Sequence, residues 1–104
     1  MKYRIVMTET ADEQMRDILF YLADDSGSID VALNYLSHIE KAVKQLEDFP
    51  YIGIVPKYTI LRRQGYRILI VKKHLVFYKV DEIAHEVIIY AVIDSRREYE
   101  RLLR

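Results

Sequence analysis

The apolar periodicity of this chain changes at Phe49-Pro50, and that change excludes most architectures. Before it, Ile29, Ala32, Leu36, Ile39, Val43 and Leu46 recur every three or four residues, a stripe that an amphipathic helix buries on one side. A shorter stripe of Ala11, Met15, Ile18, Leu19 and Leu22 precedes it, and Asp24-Asp25-Ser26-Gly27 separates the two. Two amphipathic helices joined by a few residues predict an antiparallel hairpin. Pro50 stops the second helix, because the residue before a proline is pushed out of the helical region. Beyond it the pattern is that of strands. Residues 66–71 and 75–80 are rich in β-formers and joined through Lys72-Lys73-His74, which predicts a β-hairpin. Residues 87–93 form a near-continuous apolar run, as expected of a strand in the middle of a sheet.

The remaining segments complete the order. Residues 3–7 read as a first strand. Thr8 or Thr10 starts the first helix, with Thr10 and Glu13 spaced as a capping box. Residues 51–58, with Gly53 and Pro56, read as a loop, and Thr59-Ile60-Leu61 as a short strand. Ser95 with Glu98 repeats the capping-box spacing and predicts a last helix over residues 96–103. The expected fold is α+β in the order β-α-α-β-β-β-α. It consists of a small twisted, mostly antiparallel sheet with the N-terminal helical hairpin packed on one face. Its 104 residues suit one domain, 1–104.

Charge divides the chain at the same place. With 16 basic and 16 acidic residues the total is neutral, yet residues 1–50 hold 5 Lys/Arg against 10 Asp/Glu and residues 51–104 hold 11 against 6. Residues 49–80 contain no acid at all, while Lys57, Arg62, Arg63, Arg67, Lys72, Lys73 and Lys79 all lie within them. Such one-signed charge raises the local concentration of oppositely charged partners. A polyanion or an acidic partner protein is the expected ligand.

Several chemistries are missing from the sequence. There is no cysteine, so disulfides and thiolate zinc sites are excluded. His38, His74 and His85 are scattered, with no metal-ligand spacing, so no metal and no cofactor are expected. No Gly-rich phosphate loop and no nucleophile elbow occurs. The start of the chain is too short in apolar residues and too charged for a signal peptide, and no run approaches the length that spans a bilayer. The expected location is the cytoplasm, with no membrane partner. The candidate binding residues are cationic. On the strand 66–71, Arg67 shares its face with Leu69 and Val71, opposite Tyr66, Ile68 and Ile70. Its guanidinium must therefore snorkel to an edge or meet an anion, either a structural carboxylate or a phosphate held by the guanidinium fork. Arg62-Arg63 and Lys72-Lys73 are solvated turn charges or a binding surface. Among nine tyrosines, Tyr58, Tyr66 and Tyr99 lie near basic residues, where a base could stack.

Taken together and in order, these fragments resemble the RelE/ParE superfamily of toxins from bacterial type II toxin–antitoxin modules. The resemblance is carried by Leu46-Glu47-Asp48-Phe49-Pro50 with Gly53, Gly65-Tyr66-Arg67, and His74-Leu75-Val76-Phe77-Tyr78-Lys79-Val80-Asp81. It continues through residues 87–93 into Ser95-Arg96-Arg97-Glu98-Tyr99, so it spans essentially the whole chain. It implies a growth-inhibiting protein, of the kind that stabilises plasmids, neutralised by a cognate antitoxin and meeting operator DNA only through that antitoxin. RelE-like members cleave mRNA in the ribosomal A site with lysines, arginines and a C-terminal tyrosine. Here the corresponding strand reads Ile68-Leu69-Ile70-Val71, and Leu75 stands where such members tend to place an arginine. Arg67, Arg96 and Tyr99 are what is left as catalytic candidates. ParE-like members poison DNA gyrase without a nuclease site, and the resemblance leans toward them. The residues implied for target or antitoxin binding are Arg62, Arg63, Arg67, Lys72, Lys73, His74, Arg96 and Arg97. The alternatives are a ribosome-dependent endoribonuclease and an inactive member of the fold.

Overall fold

A computed structural model describes residues 2–95. The elements run β1 (Arg4–Met7), α1 (Glu9–Ser26), α2 (Ile29–Lys44), α3 (Thr59–Arg63), β2 (Arg67–Val71), β3 (His74–Asp81) and β4 (Glu86–Asp94). The predicted helix over residues 96–103 lies outside the described residues. The four strands form one sheet in the order β1-β4-β3-β2, with β1 parallel to β4 and the other pairs antiparallel. This is the expected α+β architecture, with the apolar run of β4 in the interior of the sheet.

The helical hairpin forms where its stripes place it. Thr8, and not Thr10, caps α1: its hydroxyl accepts from the Ala11 amide and donates to the Ile89 carbonyl, so one side chain starts the helix and ties it to β4. Ser28 caps α2 in the same way through Val31. A short 3-10 turn, Gln45–Glu47, then leads into Phe49-Pro50. Of the buried stripe, Leu36, Ile39, Val43 and Leu46 pack with Ala11 on one face of the sheet, against Val71, Val76, Tyr78, Val87, Ile89 and Val92; Ala32 is also buried. We call this the inner face.

One segment departs from the sequence reading. Thr59-Ile60-Leu61 is the start of helix α3 and not a strand. Its β-branched residues favour extended backbone only weakly, and burial of Leu61 over the sheet outweighs them. Gly65, at φ +86, then terminates the helix in a backbone conformation costly for other residues. Helix α3 lies on the outer face of the sheet, where Leu61, Ile68, Leu75, Phe77 and Ile93 make a second apolar cluster.

The segment between α2 and α3 is fastened to the sheet. Ile54 exchanges both backbone hydrogen bonds with Ile68 at 2.9 Å, forming an isolated bridge on the edge of β2. Tyr78 reaches up from β3 beneath it. Its buried hydroxyl donates to the Pro50 carbonyl at 2.8 Å and accepts from the Gly53 amide at 2.9 Å. Burial pushes this phenol's pKa up, which keeps the donor proton in place. Gly53 sits so close that a Cβ there would lie 2.5 Å from the Tyr78 hydroxyl oxygen.

Tyr78→Phe therefore leaves a buried carbonyl and a buried amide unpaired. We expect it to lower unfolding free energy by about 1–3 kcal/mol, read as a lower urea midpoint at unchanged slope. Gly53→Ala should cost a similar amount through the steric clash, about 1–3 kcal/mol, and Tyr78→Phe combined with Gly53→Ala should cost less than the sum.

Candidate functional site

The cations of the acid-free stretch form two groups. Lys57, Arg62 and Arg63 are exposed on α3 and its lead-in, at one end of β2. Lys72 and Lys73 are exposed in the turn at the other end, five residues on, which is roughly 15 Å of strand. Lys72 holds φ +53, an uncommon conformation for a lysine. Among the described residues the ion pairs join Lys2 to Glu47, Arg4 to Glu86 and Arg16 to Asp12, so none draws on the cations of the acid-free stretch.

Two of the predicted residues have structural partners. Arg67 Nη1 donates to the carbonyls of Tyr51 at 3.1 Å and Gly53 at 2.9 Å, and its guanidinium lies 5.0 Å from the centre of the Tyr51 ring. The guanidinium, expected to snorkel to an edge or to meet a carboxylate or phosphate, is held by backbone carbonyl dipoles of the loop. His74 is buried at 8% exposure, and its Nδ1 shares a 2.7 Å hydrogen bond with the Tyr35 hydroxyl. That hydroxyl also accepts from the Lys73 amide, so α2 steadies the basic turn. Arg96, Arg97 and Tyr99 lie outside the described residues.

The outer face carries a groove of about 610 Å³ between the start of α1 and α3. Thr10 and Gln14 line one wall, Ile60, Leu61 and Gln64 the other, and Tyr66, Phe77, Tyr90 and Ala91 the floor. A β-bulge shapes the floor: Phe77 pairs with Ala91 and Tyr78 with Ile89, leaving Tyr90 as the extra residue. Tyr90 thereby meets Tyr66 edge to face, with centroids 5.5 Å apart. Lys79 sits over both rings, at 4.5 Å from Tyr66 and 5.2 Å from Tyr90. This cation–aromatic patch joins Tyr66 to two residues absent from the predicted site. Strand alternation alone puts Lys79 on the outer face, so it was findable. Tyr90 was not, because nothing in the run 87–93 marks a bulge.

A second polar cluster closes the opposite end of the sheet. The hydroxyls of Tyr3 and Tyr51 both donate to Glu82 Oε1 at 2.6 Å, and Tyr3 stacks on His85. The two hydrogen bonds hold the Glu82 carboxyl below the usual range and push the Tyr51 phenol up to about 12. Through Glu82 these hydrogen bonds tie Tyr51, and with it the start of the 51–53 segment, to Tyr3 and the β3–β4 turn. Among the described residues no His, Cys, Asp or Glu cluster is arranged to hold a metal. No described helix is long and apolar enough to cross a membrane.

Comparison with known proteins gives a consistent result. A family model described as the ParE toxin of the type II toxin–antitoxin system parDE matches residues 5–99. Comparison with curated proteins returns no match. Among solved structures, a chain of the chromosomal ParDE toxin–antitoxin system of P. aeruginosa is 18% identical, with a TM-score of 0.73 over 89% of this chain and 96% of that one. A chain of the RelBE2 toxin–antitoxin complex of Mycobacterium tuberculosis is 14% identical, with a TM-score of 0.59 over 90% and 99%. At these identities the structural likeness establishes a shared fold.

The site geometry separates the arginines. Arg67→Ala should destabilise the fold by about 1.5–3 kcal/mol, whereas Arg62→Ala with Arg63→Ala should change stability by no more than about 0.5 kcal/mol, both read by denaturant unfolding. The Glu82 clamp adds a pH dependence. A lowered carboxylate pKa contributes stability above its ordinary value of 4.5 that is lost as pH falls through the folded value. The raised Tyr51 pKa contributes below 10.0 and is lost as pH rises toward about 12. Thermal melts of Glu82→Gln should show both limbs flattened relative to the parent chain.

Proposed function

The chain belongs to the ParE toxin family of type II toxin–antitoxin systems, and from that premise we propose that it arrests growth by binding DNA gyrase, without cleaving RNA. The outer apolar cluster carries this reading. Cleavage of mRNA by attack of a 2′-hydroxyl on the adjacent phosphate needs cations around the developing charge. The strand that would supply them reads Ile68-Leu69-Ile70-Val71, and Leu75 pairs with Ile70 beside it, so none of these five positions carries a charge, and Ile68 and Leu75 are packed in the cluster beneath α3. Arg67 commits its guanidinium to loop carbonyls. The groups left facing a target are the exposed cations of α3, Lys57, Arg62 and Arg63, and the Tyr66–Lys79–Tyr90 patch. In this reading they bind and orient. Lys72 and Lys73 extend the same surface past the end of β2.

A cognate antitoxin holds the toxin silent in this reading. The two similar structures come from toxin–antitoxin systems by their own descriptions, which supports a protein partner here. The acid-free stretch selects an antitoxin segment that places acidic and apolar residues along β2 and α3, in an extended or helical form. Operator DNA is then reached only through the antitoxin, and the setting is the bacterial cytoplasm.

Expression without the antitoxin should arrest growth, and co-expression should restore it. With purified gyrase, the chain should inhibit supercoiling or trap cleaved DNA, and Arg62→Ala with Arg63→Ala should weaken this about tenfold. Rapid A-site cleavage of transcripts on programmed ribosomes would overturn the proposal in favour of a nuclease.

A further inference from the structure

The surface around α3 is apolar as well as basic. Ile52, Ile54, Val55, Ile60 and Ile70 are each about half exposed or more; Lys57, Arg62 and Arg63 are exposed on the same segments, and Lys72 just past the far end of β2. Residues 49–80 contribute no acidic side chain to this surface, and Glu82 reaches it at Tyr51. An apolar surface rich in one charge sign is complementary to an apolar surface rich in the other.

The chain itself carries such a surface. At the bend of the helical hairpin, Phe20 and Tyr21 are 65% and 64% exposed on the last two turns of α1. Ile29 and Leu33, four residues apart and so on one side of α2, are 52% and 50% exposed. Asp17, Asp24, Asp25 and Asp30 are exposed around them. The hairpin packs on the inner face of the sheet and α3 on the outer face, so one molecule cannot bring its own two surfaces together. Two molecules can.

We propose that a second copy of this chain docks head to tail, the acidic apolar tip of its hairpin seated on the basic apolar surface of loop 49–58, α3 and β2. The contact joins two different patches, so it is heterologous: one copy is left with a free basic patch and the other with a free acidic patch, and the assembly grows beyond a dimer into an open chain or a closed ring of more copies. The inference rests on the charge and apolar layout alone and holds whichever target the toxin has. An antitoxin segment covering β2 and α3 would compete with it.

Sedimentation velocity of the purified chain, free of antitoxin, tests this. In about 50 mM salt, the mean mass should rise with concentration up to about 100 µM and pass that of a dimer, and in about 500 mM salt it should fall back toward the monomer. Two variants, Arg62→Gln with Arg63→Gln and Asp24→Asn with Asp25→Asn, alter exposed residues and should keep the parent circular dichroism and melting temperature. Each alone should associate at least about tenfold more weakly than the parent. Mixed in equal amounts, they should form a one-to-one dimer and stop there, because each supplies the one patch the other lacks. A chain that stays monomeric at every salt concentration would leave the basic surface to a foreign acidic partner and overturn the proposal. So would association that strengthens in high salt, a parent assembly that stops at two, or a mixture that fails to pair.

Discussion

One buried hydroxyl, that of Tyr78, holds the basic half of the molecule in shape. It bridges the Pro50 carbonyl and the Gly53 amide, and each of those groups would otherwise be a buried polar atom without a partner. Once the loop is seated there, Ile54 lies beside Ile68 and the Tyr51 and Gly53 carbonyls converge on Arg67. The exposed apolar residues between Phe49 and Ile60 are thus displayed from a fixed frame. That allows a segment so short of polar residues to face solvent without collapsing onto the sheet, and it makes the loop a rigid part of the proposed binding surface.

The sheet separates structure from recognition by its two faces. The inner face is buried by the helical hairpin and contains most of the core. The outer face is covered only in part: α3 seals Ile68, Leu75, Phe77 and Ile93, and the rest is a groove with an aromatic floor under Lys79. Fold alone does not decide chemistry, and in the proposed reading the side chains on the outer face of β2 and β3 decide it.

Much of this was legible in the residues. The helical hairpin, the β-hairpin and the central strand follow from a change of period at Phe49-Pro50, since burial of one face is what fixes both helices and strands. The two faces of β2 follow from simple alternation, and the burial of Ile68, Val71 and Leu69 agrees with it. The reading failed where a long-range contact outweighed local preference. Thr59-Ile60-Leu61 looks extended, yet Arg62-Arg63 in the last turn and Gly65 just after it are a helix-end signal. Thr8 was preferred to Thr10 as cap because its hydroxyl also reaches Ile89, a partner 81 residues away. Arg67 was expected to reach an edge or an anion, and carbonyls from a folded loop hold it instead. No local pattern announces that geometry, nor the inward turn of His74 toward Tyr35.

The bulge at Tyr90 has a consequence for how this surface can diverge. On either side of it, β4 keeps opposite phases: Val87 and Ile89 point to the inner core before it, Val92 does so after it, and Tyr90 and Ala91 line the groove. Loss of the extra residue at Tyr90 would restore plain alternation and leave Val87, Ile89 and Val92 facing the core, whereas loss of a residue from either flank would turn part of the strand over and exchange core for groove. The change of length that this strand tolerates best is therefore at Tyr90, where it removes an aromatic ring from the groove and keeps the core in register. Elsewhere the groove varies by exchange of side chains, as at Tyr66 and Lys79.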